Sequence, residues 1–240
     1  MRNSLIVKSI VFLLLYPLMI NSAFSKNIDN HLLINQLGKI LNQKHNDSIK
    51  DLFLRKKSFE KFNKQYQDFR KNHTNVKWTI ETISNHPAKI FLDIRITAKR
   101  EIADQIYNLK SKQTVKIETF KNKIKRYQVI EEESVLNSPN SPLVIKIISP
   151  DKVLTGEKYE MSLIIEKPLD DSLIASGMIV LDNKDNFQIS NDKFSIKPNE
   201  SGGLFKYIQA PLEPGSQIIS AIITHPKGIY AITKKIEVGF

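Results

Sequence analysis

Glu131, Glu132 and Glu133 are the densest carboxylate run in the chain. Side chains alternate along a strand, so two of the three must share a face. Paired carboxylates can do general acid–base work when buried. Lys125 and Arg126 stand just upstream, however, and the run reads as surface ion pairing. The five histidines, His31, His45, His73, His86 and His225, form no H-E-x-x-H or similar ligand pair. Asp182-Asn183-Lys184-Asp185-Asn186 hints at a calcium loop, but it lacks the glycine at position six and has Lys193 where position twelve needs glutamate. It reads as a turn. With no cysteine in the chain, disulfides, thiolate metal sites and cysteine nucleophiles are excluded. No glycine-rich phosphate loop or serine nucleophile elbow is present. These residues define no catalytic centre, metal site or cofactor.

Charge is the stronger chemical signal. Residues 26–140 hold 23 Lys plus Arg against 13 Asp plus Glu, a net +10, whereas residues 141–240 hold 11 against 12, a net −1. The excess is concentrated at Arg55, Lys56 and Lys57 and again at Lys110, Lys112, Lys116, Lys121, Lys123, Lys125 and Arg126. Such clusters attract anionic surfaces and are weakened by salt. Solvation of exposed faces is the plainer reading of the same lysines.

The first 25 residues read as an export signal. Arg2 and Lys8 precede an apolar core from Val11 to Ile20, and Ala23-Phe24-Ser25 sets small residues for cleavage before Lys26. The apolar run is shorter than the roughly 20 residues of a membrane-spanning helix, and Pro17 interrupts it. The mature chain is then expected to have no transmembrane span and to reside in the periplasm or another extracytoplasmic compartment, of bacterial type. Export argues against nucleic acid as the anion. Anionic lipid, an acidic envelope polymer or a protein partner fits better.

Positioning these groups requires two kinds of element. Leu33, Leu37, Ile40 and Leu41 give a first helix from Ile28, with Asp29 as its cap. Ile49, Leu52 and Phe53 suggest a second helix after Asn46-Asp47-Ser48. Phe59, Phe62, Tyr66 and Phe69 form one stripe of a third helix, Lys57 to Lys71. The period then changes. Val76, Trp78 and Ile80 begin a strand, and Ile90, Leu92, Ile94 and Ile96 give the next one a single buried face. Tyr107, Leu109, Val115 and Ile117 do the same on a long third strand, with a hairpin tip at Lys121-Asn122-Lys123 and a return from Ile124 to Leu136. Three helices followed by about four antiparallel strands predict an α+β domain over residues 26–137. This order of elements and the aromatic stripe resemble the nuclear transport factor 2-like, cystatin-like cone fold. The resemblance implies a cone whose open end can hold a pocket, with Tyr66, Trp78 and Tyr107 as candidates for its lining, and it transfers no catalytic residue.

From residue 143 to 240 the pattern is short strands separated by turn residues, as in a β-sandwich. The closing hairpin, Gly215 to His225 and Ile229 to Val238 around Pro226-Lys227-Gly228, resembles the last two strands of immunoglobulin-like and fibronectin type III-like domains. Ser138-Pro139-Asn140-Ser141-Pro142 is the expected linker, short and semi-rigid. The reading of the whole is an exported, non-enzymatic binding or scaffold protein. Its basic first domain faces an anionic surface or partner, and the sandwich docks or orients it. The alternative is a small-ligand carrier or enzyme that uses the pocket of the cone.

Overall fold

The structure is a computed structural model that describes residues 30–43, 47–86, 88–167, 172–182, 195–199 and 202–239. The expected signal segment, His45 and most of the 182–186 loop lie outside these residues. Of the described residues 62% are in strands and 19% are helical.

Helix α1 (Asn30–Asn42) buries Leu33, Ile34, Leu37, Ile40 and Leu41. Full burial of Leu37 and Leu41 contributes about 1.5–3 kcal/mol each before ordering costs. Helix α2 (Lys56–Asn72) carries the aromatic stripe. Between them Asp47–Leu52 makes six residues of 3-10 helix, not an α-helix. Phe53 is drawn into a bridge with Ile124, and the Leu54 amide donates to the Ile124 carbonyl at 2.8 Å, so the chain leaves helical geometry at Phe53. Ile49, Leu52 and Phe53 are nevertheless buried.

Four long antiparallel strands follow: β1 (Thr74–His86), β2 (Lys89–Ile102), β3 (Gln105–Phe120) and β4 (Lys123–Asn137). The second half contributes β5 (Ile145–Ile148), β6 (Lys152–Leu154), β7 (Lys158–Ile165), β8 (Ile174–Asp182), β9 (Lys197–Asn199), β10 (Gly203–Gln209), β11 (Gly215–His225) and β12 (Gly228–Gly239).

The expected architecture, a three-helix α+β domain followed by a separate sandwich, is corrected here. Two α-helices are present among the described residues, and the main sheet does not stop at residue 137. Its order is β1-β2-β3-β4-β12-β11-β8-β9, with β6 parallel to β12. The junction is an antiparallel ladder from Tyr230↔Asn137 to Lys235↔Glu132. β4 would otherwise leave its ladder groups unpaired at a sheet edge, and β12 satisfies them.

The two halves bury opposite faces of this sheet. The helices cover the face that carries Ile94, Ile96, Val115 and Ile117. The three-stranded sheet β10-β7-β5 covers the other face, where Ile219, Ala221, Ile223, Ile232 and Ile236 pack against Tyr159, Met161, Leu163 and Ile208. The register change lies in β4. Thr114 pairs with Glu131 and Val115 with Val129, so Ile130 is an extra residue, a β-bulge. Without it every side chain beyond would change face.

The segment 138–142 is tied to the β11–β12 hairpin. The Ser138 amide donates to the Ile229 carbonyl at 3.0 Å, and the Ile229 amide donates to Ser138 Oγ at 3.0 Å. Gly228 (φ 151°) lets the two strands approach, since a Cβ there would meet Ser138 Cβ at 2.6 Å.

Candidate functional site

A cavity of about 410 Å³ lies between α2 and the inner face of the sheet, at the junction of β4 and β12. Its roof and one wall are aromatic: Phe62, Tyr66 and Phe69 from α2, Trp78 from β1 and Tyr127 from β4. These rings support one another. Phe62 and Tyr127 meet edge to face at 4.9 Å and Phe69 and Trp78 at 5.6 Å between centroids, geometries that add to plain burial.

Hydrogen bonds set the roof in place. The Tyr66 hydroxyl donates to the Gln43 carbonyl at 3.1 Å and accepts from Arg70 Nε at 3.2 Å, while Arg70 also donates to the Leu41 carbonyl. Both residues thereby satisfy carbonyls at the end of α1. Asn42 uses its side-chain amide as a strand would. Its Nδ2 donates to the Trp78 carbonyl at 3.0 Å and its Oδ1 accepts from the Trp78 amide at 2.9 Å. This covers the free edge of β1 and orients Trp78. The Trp78 indole N–H is buried and has no partner among the described residues.

The floor is polar. Gln113, Glu132, Lys235 and Ile218 are successive cross-strand neighbours on β3, β4, β12 and β11, and Ser111 pairs with Ser134 in the adjacent row. Ser134 Oγ lies 2.8 Å from both Ser111 Oγ and Glu132 Oε1. Ser134 Oγ is placed to donate to either, one at a time. Lys235 Nζ donates to the Val129 carbonyl, next to the bulge. Burial depresses the Lys235 ammonium below its ordinary value against the pull of Glu132, with Lys61 adding to the depression and Glu237 opposing it. Burial and the Glu132 charge raise the Tyr127 phenol, which therefore stays protonated.

Of the three expected lining residues, Tyr66 and Trp78 border the cavity. Tyr107 is on the same face of β3 but beyond its end, with its hydroxyl donating to Gln105 Oε1 at 2.8 Å. Sequence reasoning missed Ser111, Gln113, Ser134 and Lys235, and read Glu132 as a surface ion-pairing residue where it lines the cavity. A signal for two of them was present: Ser111 and Gln113 interrupt the inward apolar row Tyr107, Leu109, Val115, Ile117. The others depend on the β4–β12 junction. Glu131 and Glu133 point to the opposite face from Glu132. There Glu131 accepts from Thr114 at 2.8 Å, and Glu133 binds Lys234.

The basic residues fall into two places. Lys110, Lys112 and Lys116 alternate along the outer face of β3. Lys121, Lys123 and Lys125 cluster at the β3–β4 turn, where Lys121 and Asn122 take left-handed backbone angles. The start of α2 lies beside them: Ser58 Oγ donates to the Lys125 carbonyl at 2.9 Å, which brings Arg55, Lys56 and Lys57 to the same pole. Arg126 is within 3.9 Å of Glu118 and Lys56 within 3.7 Å of Glu60. Phe120 stands exposed at this pole with Lys121 Nζ 5.5 Å from its ring centroid.

Two histidines make local hydrogen bonds to the backbone. His73 Nδ1 donates to the Phe69 carbonyl at 2.8 Å, and His225 Nδ1 accepts from the Lys227 amide at 3.0 Å. Among the described residues no three His, Asp or Glu converge as metal ligands, and no helix is long and apolar enough to cross a membrane.

The fold and the two surfaces define a β-rich protein with a ligand-sized cavity and a basic pole. Residues 140–239, from the 138–142 segment through β12, match the model of a domain of unknown function, DUF8623. A search of curated proteins found no match.

Proposed function

We propose that this is an exported, non-enzymatic binding protein that docks its basic pole on an anionic lipid surface, with the second half orienting that pole. The observation that carries the reading is Phe120. It is 51% exposed, with Lys121 Nζ 5.5 Å from its ring, at the turn that also carries Lys123 and Lys125. Lysines alone would serve any anionic polymer. An exposed aromatic ring with flanking cations matches a bilayer interface, where the ring enters the headgroup region and the ammonium groups remain at the phosphates. Each lysine close to an anionic leaflet contributes about 1 kcal/mol. The export-signal pattern of residues 1–25 supports this reading, since anionic lipid is available to an exported protein.

Co-sedimentation of the full chain with phosphatidylglycerol and with phosphatidylcholine vesicles tests this. Binding is expected to the anionic vesicles only, to fall as NaCl rises from 0.1 to 0.5 M, and to drop by about a hundredfold when Lys121, Lys123 and Lys125 are all changed to Gln. Phe120→Ser should weaken it further without changing the salt dependence. Equal, salt-independent binding to both vesicles would rule the reading out, as would tight binding to an acidic polymer with none to lipid.

A further inference from the structure

We infer that the cavity beneath α2 binds a small apolar carboxylic acid, with its hydrocarbon or aryl body against Phe62, Phe69 and Trp78 and its carboxylate on Lys235 Nζ. None of the basic residues of the pole lines this cavity.

The strongest argument is the contrast between two neighbouring lysines. Lys234 and Lys235 are adjacent on β12 and point to opposite faces. Lys234, 7% exposed, meets Glu133 at 3.2 Å and Asp151 at 2.8 Å. Lys235 is half-buried in an aromatic-lined cavity, yet its nitrogen has only the Val129 carbonyl, and no carboxylate is within 4 Å among the described residues. A half-buried cation with no carboxylate in direct contact has lost hydration that nothing fully replaces. Glu132, across from it on β4, attracts the ammonium without forming an ion pair with it among the described residues. Glu132 accepts from Ser134, Glu237 is held by Lys152 at 2.7 Å, and Lys61 on α2 is a second cation. A ligand carboxylate would complete the shell, since the ammonium has donors to spare.

The rest of the lining fixes the ligand's other end. Rings line the cavity on the α2 side, so the body must be apolar and can be flat. About 410 Å³ accommodates a ligand of fatty-acid or aryl-alkanoate size, within the range of small-molecule sites. The polar groups Ser111, Gln113 and Ser134 lie on the same side as Lys235, which orients the head toward the β4–β12 junction.

Trp78 is the only tryptophan, so its emission reports on the cavity directly. Titrating the full chain with 4-phenylbutyrate and with 4-phenylbutanol should quench or shift that emission, with the acid binding about tenfold to a hundredfold more tightly, as one charge-assisted hydrogen bond gives. In Lys235→Met the acid should fall to the affinity of the alcohol, whose retained binding shows that the cavity has survived. Equal affinities in the wild type, or an undiminished preference in the variant, would overturn the proposal, as would the absence of any Trp78 response. Should the variant lose the alcohol as well, the wild-type preference decides. It must decline as pH rises through the Lys235 titration, where Glu132, Lys61, Glu237 and Tyr127 are the facing groups, and a constant preference from pH 7 to 11 would overturn the assignment. Vesicle binding should be unaffected by Lys235→Met, and ligand binding unaffected by the lysine changes at the pole.

Discussion

His73 joins α2 to β1 and couples stability to pH. Its ring stacks on Phe69 at 4.2 Å and its Nδ1 is held by the Phe69 carbonyl. Burial lowers its pKa from 6.5; the Phe69 hydrogen bond opposes the shift and the Arg100 charge adds to it. A depressed folded-state value means that the unfolded chain takes the proton first. The stability due to neutral His73 is therefore complete above pH 6.5 and is lost as pH falls from there through the folded value. Urea unfolding at pH 7.5 and pH 5.0 should show a larger loss of stability in the wild type than in His73→Gln. An equal loss in both would show that His73 plays no part.

The decisive element is β4, whose two bulges divide its free edge between two covers. Lys125 is extra between the Glu118↔Arg126 and Thr119↔Ile124 pairs, and Ile130 between the Val129 and Glu131 pairs. Before Ile130 the edge is met by Phe53, Leu54 and Ser58. Beyond it β12 takes over at Glu132. The cavity occupies the gap where one cover ends and the other begins. Deleting Ile130 would return β4 to strict alternation. Glu132 and Ser134 would then turn to the sandwich face, and Glu131 and Glu133 into the cavity, or else β4 would part from β12. Either outcome should cost several kcal/mol, comparable with losing a buried polar network, and should shift Trp78 emission toward that of solvent-exposed indole. A deletion variant with wild-type stability and emission would show that the register is not set there.

At the scale of the molecule, the β4–β12 ladder makes one sheet of two halves. Two cores lie on its opposite faces, and the ladder, the 138–142 hydrogen bonds and Lys234 with Glu133 and Asp151 link them. Thermal unfolding is expected as one transition with equal calorimetric and van't Hoff enthalpies. Two separated transitions would mean that the ladder opens without disturbing either core. A chain ending at residue 142 would leave the 132–137 edge of β4 unpaired, and self-association is the expected result.

Much of the local structure was legible because it rests on periodicity. The spacing of Leu33, Leu37 and Leu41 and of Phe59, Phe62, Tyr66 and Phe69 marked both α-helices, and alternation from Ile90 to Ile96 marked the buried face of β2. The clustering of Arg55–Lys57 with Lys121–Lys125 was partly legible, since the hairpin tip could be read, though the approach of α2 to it could not. Three things were decided only by tertiary structure. The stretch at Ile49–Phe53 had a helical pattern, but Phe53 and Leu54 gained more from pairing with Ile124. The face that Glu132 shows depends on one extra residue in a partner ladder, and no side-chain pattern records that. The continuity of the sheet depends on two edges 100 residues apart satisfying each other's hydrogen bonds, and backbone groups are the same in every sequence. By itself the sequence determined the charge asymmetry, the lack of thiol chemistry and the apolar faces. Which edge met which, and hence the aromatic cavity with Lys235 in its floor, was settled by the need to leave no strand unpaired.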